Sequence, residues 1–231
     1  MPDRALIEEA ERLGQTLVPF AEAGTPGRVN RQLVKALGTA GMFERIFDPD
    51  TVTAADLCQL RQGLARVCTE AETALAVQGL GGVPIHRHGS NAVRDEWMPG
   101  LRSGEAVAAF ALTEPEAGSD AAALALRAEP DGAGYRLTGE KTYISNAPDA
   151  DIATVFARTT ADTGAKGVTA FAVPIDSEGI EGESIDMISP HALGRWVFDG
   201  EFVPRSHVLG VVDDGFTIAM ETLDLFRPSV G

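Results

Sequence analysis

Cysteine is scarce in this sequence, with two residues in 231. Hydrophobic periodicity places Cys58 and Cys68 on one helix, about 15 Å apart at ~1.5 Å of rise per residue. That is too far for a disulfide, so both are expected as reduced thiols in a cytoplasmic protein. Positive charge is also sparse: 19 Lys and Arg stand against 34 Asp and Glu, a net charge of −15. Such a field argues against non-specific binding to nucleic acid or to an anionic membrane surface. It leaves open a small anionic ligand held by a local cluster of amides. No apolar run reaches the ~18 residues of a membrane span, and the opening MPDRALIEEAERLGQ lacks a signal-peptide core. Glycine-rich phosphate loops of the GxxxxGK or GxGxxG type are missing, and no serine sits in a nucleophile elbow. His86 and His88 lie two apart without a Cys or carboxylate ligand set, and His191 and His207 are isolated, so no metal centre is expected.

The first hundred residues carry helical periodicity. Leu6, Ala10, Leu13 and Leu17 form one stripe, and Val29, Leu33, Leu37 and Ala40 a second. A long helix is expected from Thr53, capped by its hydroxyl with Asp56 three residues on. Its stripe runs Leu57, Leu60, Leu64, Val67, Ala71 and Leu75, and GLGGVP should break it. Short helical pieces are expected near Ile85–His88 and from Ser90 to Leu101. From Val107 the period becomes two. Leu124, Leu126 and Ala128 alternate before a PDGAG turn, then come IATVFAR (152–158), VTAFAVP (168–174) and RWVFDGEFVP (195–204). Short strands separated by turns point to a small barrel or sandwich. From Gly215 an amphipathic helix resumes through Phe216, Ala219, Met220, Leu223 and Phe226 or Arg227. Its face runs out of sequence at SVG, which suggests further native residues or a second chain to complete the fold.

Two polar stretches stand out, AFALTEPEAGSD (109–120) and GEKTYISNA (139–147). In the first, Thr113 offers a hydroxyl, Gly118 permits close approach of the backbone, and Ser119 adds a hydroxyl among amides suited to phosphate. In the second, Tyr143 is an aromatic plate beside the donor Ser145. From residue types alone the two stretches read either as ordinary turns or as a rim for a planar ring with a diphosphate tail. Trp196 is expected in the core.

LTEPEAGSD, followed some twenty residues later by GEKTYISNA, resembles the paired signature of the acyl-CoA dehydrogenase family of flavoproteins, TEPxAGSD and GxKx-aromatic-I-S/T-N. WMPGLRSGE, FDGEFVP, HVLG and GFTIAMETLD extend the resemblance in order over most of the chain. It implies an α+β multidomain fold: an N-terminal all-α domain (1–106), a small β-barrel domain (107–212) and the start of a C-terminal helical domain (213–231). It also implies FAD, with Phe110, Leu112 and Thr113 at the flavin ring and Gly118 and Ser119 nearer the pyrophosphate. Tyr143 would cover one ring face and Ser145 would bond near N5. Ser119, Asp224 and Arg227 would hold the thioester carrier. The implied reaction is α,β-desaturation of an acyl thioester, in which a carboxylate takes the α-proton and the β-hydrogen leaves as hydride. The implied partners are acyl-CoA or an acyl-carrier thioester, an electron-transfer acceptor, and a homo-oligomer or partner chain. No base is identifiable in the chain as given. Phe226 stands where a minority of relatives place one, and Glu114, Glu116 and Glu140 occupy structural motif positions. The segment IDMISPHALGRW (185–196) departs from the family's Gly-rich form. A non-catalytic partner subunit and a flavin monooxygenase of the same architecture are the alternatives.

Overall fold

The computed structural model describes residues 4–48 and 52–230; the readings of the chain's first three residues and of Gly231 lie outside the described residues. The N-terminal part is helical: α1 (Arg4–Glu22), α2 (Arg31–Thr39), α3 (Met42–Ile46), α4 (Ala54–Ala65), α5 (Thr69–His88) and α6 (Asn91–Ser103). α1 turns Ile7, Ala10, Gly14 and Leu17 inward, so Leu6 and Leu13 flank the buried stripe. Helix starts are fixed by side chains that satisfy otherwise unpaired amides. Asn30 accepts from Leu33 N at 3.0 Å, and Ser90 accepts from Val93 N. Thr53 and Asp56 form the expected capping box.

The single long helix expected from Thr53 is two helices. α4 ends at Ala65, and Cys68 is extended (φ −146°, ψ 91°) where it caps α5. Cys58 and Cys68 therefore sit on different elements, and both are free thiols. The break expected at GLGGVP does not occur either, because α5 passes through it to His88. Glycine is locally unfavourable in a helix by about 1 kcal/mol, but here it permits close approach. A Cβ at Gly79 would lie 2.4 Å from the Phe226 ring, and one at Gly81 2.7 Å from Ala109 N. Tertiary packing outweighs propensity in α5.

Eight strands follow: β1 (Ala108–Ala111), β2 (Arg127–Asp131), β3 (Gly134–Ser145), β4 (Ile152–Arg158), β5 (Val168–Pro174), β6 (Ile180–Ser184), β7 (Leu193–Pro204) and β8 (Val208–Leu209). They form one sheet in the order β6-β7-β3-β2-β4-β5-β8, with β1 added in parallel on β4. The sheet is not closed, which corrects the expected barrel. Closure requires hydrogen bonds between the end strands. β8 is two residues long, and β6 is largely exposed and carries Glu181 and Glu183, charges that blunt a sheet edge. β2 touches β4 through the single register pair Arg127↔Arg158. β4 and β5 are buried except at their last residues, Arg158 and Pro174, and their continuous apolar runs reflect cover on both faces.

Polar bridges join the two parts. Gln78 of α5 donates to Leu101 O (3.1 Å) and Ala106 O (2.8 Å) and accepts from Ala108 N (2.9 Å). Thr154 Oγ1 donates to Gly81 O at 2.8 Å. Arg31 forks onto Asp151 at 2.8 and 2.9 Å, and Asp151 in turn accepts from Val107 N at 2.7 Å. Last comes α7 (Gly215–Phe226), which buries Ile218, Ala219, Thr222 and Phe226 against the preceding elements. No helix among the described residues is long and apolar enough to cross a membrane.

Gly79→Leu should force Phe226 and α7 away from α5. Overpacking of this kind costs about 1–3 kcal/mol, to be read as a lowered urea midpoint with an unchanged m-value.

Candidate functional site

Beyond β1 the chain makes a tight turn in which Glu114 N donates to Ala117 O (3.0 Å) and Ala117 N to Glu114 O (3.2 Å). Pro115 and Glu116 are left outside, while the Glu114 side chain turns in and is 6% exposed. Its carboxylate accepts from Ala125 N at 2.6 Å, Leu126 N at 3.0 Å and Lys141 Nζ at 2.7 Å. Lys141, on β3, is fully buried and also donates to Leu112 O at 2.9 Å. Thr142 N donates to Thr113 O at 3.0 Å. The two polar stretches are thus joined through a buried ion pair and backbone bonds on either side of it. Burial lowers the Lys141 pKa to about 8, against the opposing pull of Glu114.

Just past Lys141, β3 bulges. Lys141 pairs with Trp196 and Ile144 with Gly194, so Thr142 and Tyr143 together face the single residue Arg195. Tyr143 takes φ 55°, a left-handed conformation that bulky residues rarely adopt, and the residue is 64% exposed. A bulge re-aims a side chain by interrupting strict alternation. Here it buries Thr142 and projects Tyr143 outward, with Ser145 two residues on.

Phe110, Leu112, Thr113, Gly118, Ser119, Tyr143 and Ser145 line one cleft of about 450 Å³, within the ~300–1,000 Å³ range of small-molecule sites. Arg227 lines it too. Asp224, one turn before Arg227, is exposed and not among the residues lining this cleft. The α7 stripe that faces the cleft is Phe216, Met220 and Leu223, and Asp224 falls one residue further round the helix. Sequence reasoning also left out Val77 and Leu80 of α5 and the segment Asp120–Ala122, all on the lining. The missed signal lies in α7, whose apolar residues cover two faces: Ile218 and Ala219 turn inward, and Phe216 and Met220 turn to the cleft.

The remaining candidates have other partners. Glu140 faces Arg195 at 3.3 Å. His88 Nε2 meets Glu221 Oε2 at 3.1 Å, and His86 packs on Phe47 at 6.2 Å between ring centroids. Trp196 is wholly buried. Among the described residues no group of three or more His, Cys, Asp or Glu could hold a metal.

Lys141→Met strands the Glu114 charge and should cost about 3–5 kcal/mol in urea unfolding. The pH dependence has a definite sign. The folded state releases the Lys141 proton near pH 8, whereas the unfolded chain keeps it to about 10.5. Between those values the unfolded state binds more protons, so stability rises with pH. Wild type should therefore gain on Lys141→Met between pH 8 and 10.5 in paired urea titrations.

With the cleft described, comparison with known proteins is specific. The family model for the acyl-CoA dehydrogenase N-terminal domain matches residues 3–105, and that for the acyl-CoA dehydrogenase middle domain matches residues 109–199. The short-chain specific mitochondrial acyl-CoA dehydrogenase of Sus scrofa is 34% identical over 223 residues, 91% of this chain and 53% of that protein. Butyryl-CoA dehydrogenase from Megasphaera elsdenii superposes with a TM-score of 0.83 at 26% identity, over 98% of this chain and 63% of that one. The FAD complex of PigA gives a TM-score of 0.85 at 26% identity, over 96% and 61% of the two chains. The chain spans about half the length of the curated relatives it matches. It belongs to the acyl-CoA dehydrogenase family, of which it carries the N-terminal and middle domains.

Proposed function

We propose that this chain is the FAD-binding portion of an acyl-CoA dehydrogenase-like oxidoreductase that desaturates an acyl thioester. In this reading residues 1–106 form the N-terminal domain, 107–212 the middle domain, and 213–231 the opening of a C-terminal helical domain. The carrying observation is the shared cleft: seven residues from two motifs separated in sequence meet along one lining. The cleft suits a flavin. Tyr143 offers an exposed flat plate, Phe110 and the α7 stripe give apolar walls, and the hydroxyls of Thr113, Ser119 and Ser145 line the polar part. Relatives named as acyl-CoA dehydrogenases, and a structural neighbour described as an FAD complex, support the same reading.

FAD, when bound, would supply the two-electron oxidising power for the desaturation. The chain's own residues orient and enclose. Tyr143 and Phe110 would back the ring, Ser145 and Thr113 would bond its polar edge, and Gly118 and Ser119 would meet the phosphates. Arg227, on the same lining, would meet the anionic carrier of an acyl-CoA or acyl-carrier thioester. Phe226 is 2% exposed, packs on Gly79, and cannot accept a proton. Glu114 is committed to Lys141 and two amides, so it does not serve as the base. An electron-transfer acceptor and a homo-oligomeric assembly complete the reading.

Reconstitution with FAD tests it. The protein should bind FAD with quenched flavin fluorescence, and Tyr143→Ala should weaken binding about tenfold, ~1.4 kcal/mol. Bleaching of the bound flavin by butyryl-CoA under anaerobic conditions tests the desaturation once a base is supplied, for example by fusion to the C-terminal domain of a relative. A protein that takes up no FAD refutes the proposal.

A further inference from the structure

One wall of the cleft is made of residues too small to hold themselves in place. Ala121 and Ala122 line the cleft, yet the short turn Ala121–Ala123 contains no buried residue. Its position is set by polar bonds on both sides. From one side the Glu114 carboxylate takes the amides of Ala125 and Leu126, at 2.6 and 3.0 Å. From the other side comes Arg158, the last residue of β4. Its Nη2 donates to Ala122 O at 2.8 Å, its Nε to Leu124 O at 3.0 Å, and its Nη1 to Gly164 O at 2.8 Å. Its backbone N donates to Leu126 O at 2.7 Å. The planar, forked geometry of guanidinium suits this task, because three acceptors in different directions are met by one rigid group.

All the side-chain bonds of Arg158 end on neutral carbonyls, and among the described residues it forms no ion pair with a carboxylate. Its hydrogen bonds offset the charge with dipoles, and its field reaches the buried Lys141–Glu114 pair. It is one of the charges that lowers the pKa of buried Lys141. In a chain of net charge −15, a cation directly behind the cleft wall favours an anionic group in front of it. Asp120, exposed on the same wall, opposes it from a solvated position where screening is stronger.

We infer that Arg158 is a positioning residue for the phosphate-bearing end of the flavin nucleotide. It holds the Ala121–Leu124 wall from behind and supplies positive potential there. The inference rests on the proposed FAD site and adds to it a residue outside the cleft lining and outside both signature motifs.

Affinity for FAD and for riboflavin, which shares the ring but carries no phosphate, separates this role from a general structural one. Arg158→Met should weaken FAD binding at least tenfold while changing riboflavin binding less than twofold. Arg158→Lys keeps the charge without the fork and should recover part of the loss. Equal losses for both ligands, or no loss for either, would overturn the inference. If Arg158→Met does not fold, Arg158→Lys carries the test alone and must show a loss confined to FAD. A wild-type protein that binds neither flavin refutes the parent reading; binding of both without discrimination by the variants refutes only the role of Arg158.

Discussion

The contact between Lys141 and Glu114 sets the geometry of the whole site. A buried ion pair pays heavily in desolvation and often does no better than an apolar pair of the same volume. It persists here with every Glu114 bond directed: two amides and one ammonium converge on the carboxylate, and the ammonium also holds Leu112 O. What the pair secures is register. The turn after β1 and the middle of β3 are nearly thirty residues apart in sequence, and a slip between them would part Thr113 from Tyr143. With the pair in place, Thr142 N reaches Thr113 O and the two stretches share one cleft.

The bulge next to this pair converts a buried strand into a presenting one. Strict alternation after buried Lys141 would send Thr142 out and Tyr143 in. The extra residue on β3 breaks that alternation, at the cost of a left-handed Tyr143 (φ 55°). Cross-strand pairing resumes at once with Ile144↔Gly194. The strain is thus confined to one residue between a buried ion pair and a restored ladder, the kind of surroundings that can over-determine an unfavourable conformation.

Much of this was legible in the sequence where a local rule coincided with the tertiary outcome. The Thr53/Asp56 capping box and the continuous apolar runs of β4 and β5 fell where local patterning placed them, and the residues of the two motifs line one cleft. Legibility failed where a residue type serves opposite ends. Gly79 and Gly81 read as a helix break but admit Phe226 and Ala109 into close packing. Glu114 read as a structural motif position, but no local pattern announces that it and Lys141, twenty-seven positions apart, are buried together. The open sheet was hidden for a different reason. Strand patterns report alternation, whereas closure depends on whether the two end strands can pair, and here β6 is acidic and largely exposed and β8 is two residues long.

The width of the cleft follows from the glycines that appeared to break α5. α7 supplies one wall through Phe216, Met220 and Leu223, and α5 supplies Val77 and Leu80 beside it. The separation of these walls from the sheet rim depends on how deeply Phe226 seats over Gly79, since the two helices meet there with no side chain on the α5 side. Phe226 is aromatic, buried and unable to ionise, so the position contributes packing where a carboxylate would contribute charge. The Phe226 ring edge meets the bare Gly79 backbone, with the Ile46 methyl also close to Gly79, so the contact on the α5 side is apolar. The seat is therefore built for an apolar ring, and this contact fixes the α7 wall against the motif residues on the sheet.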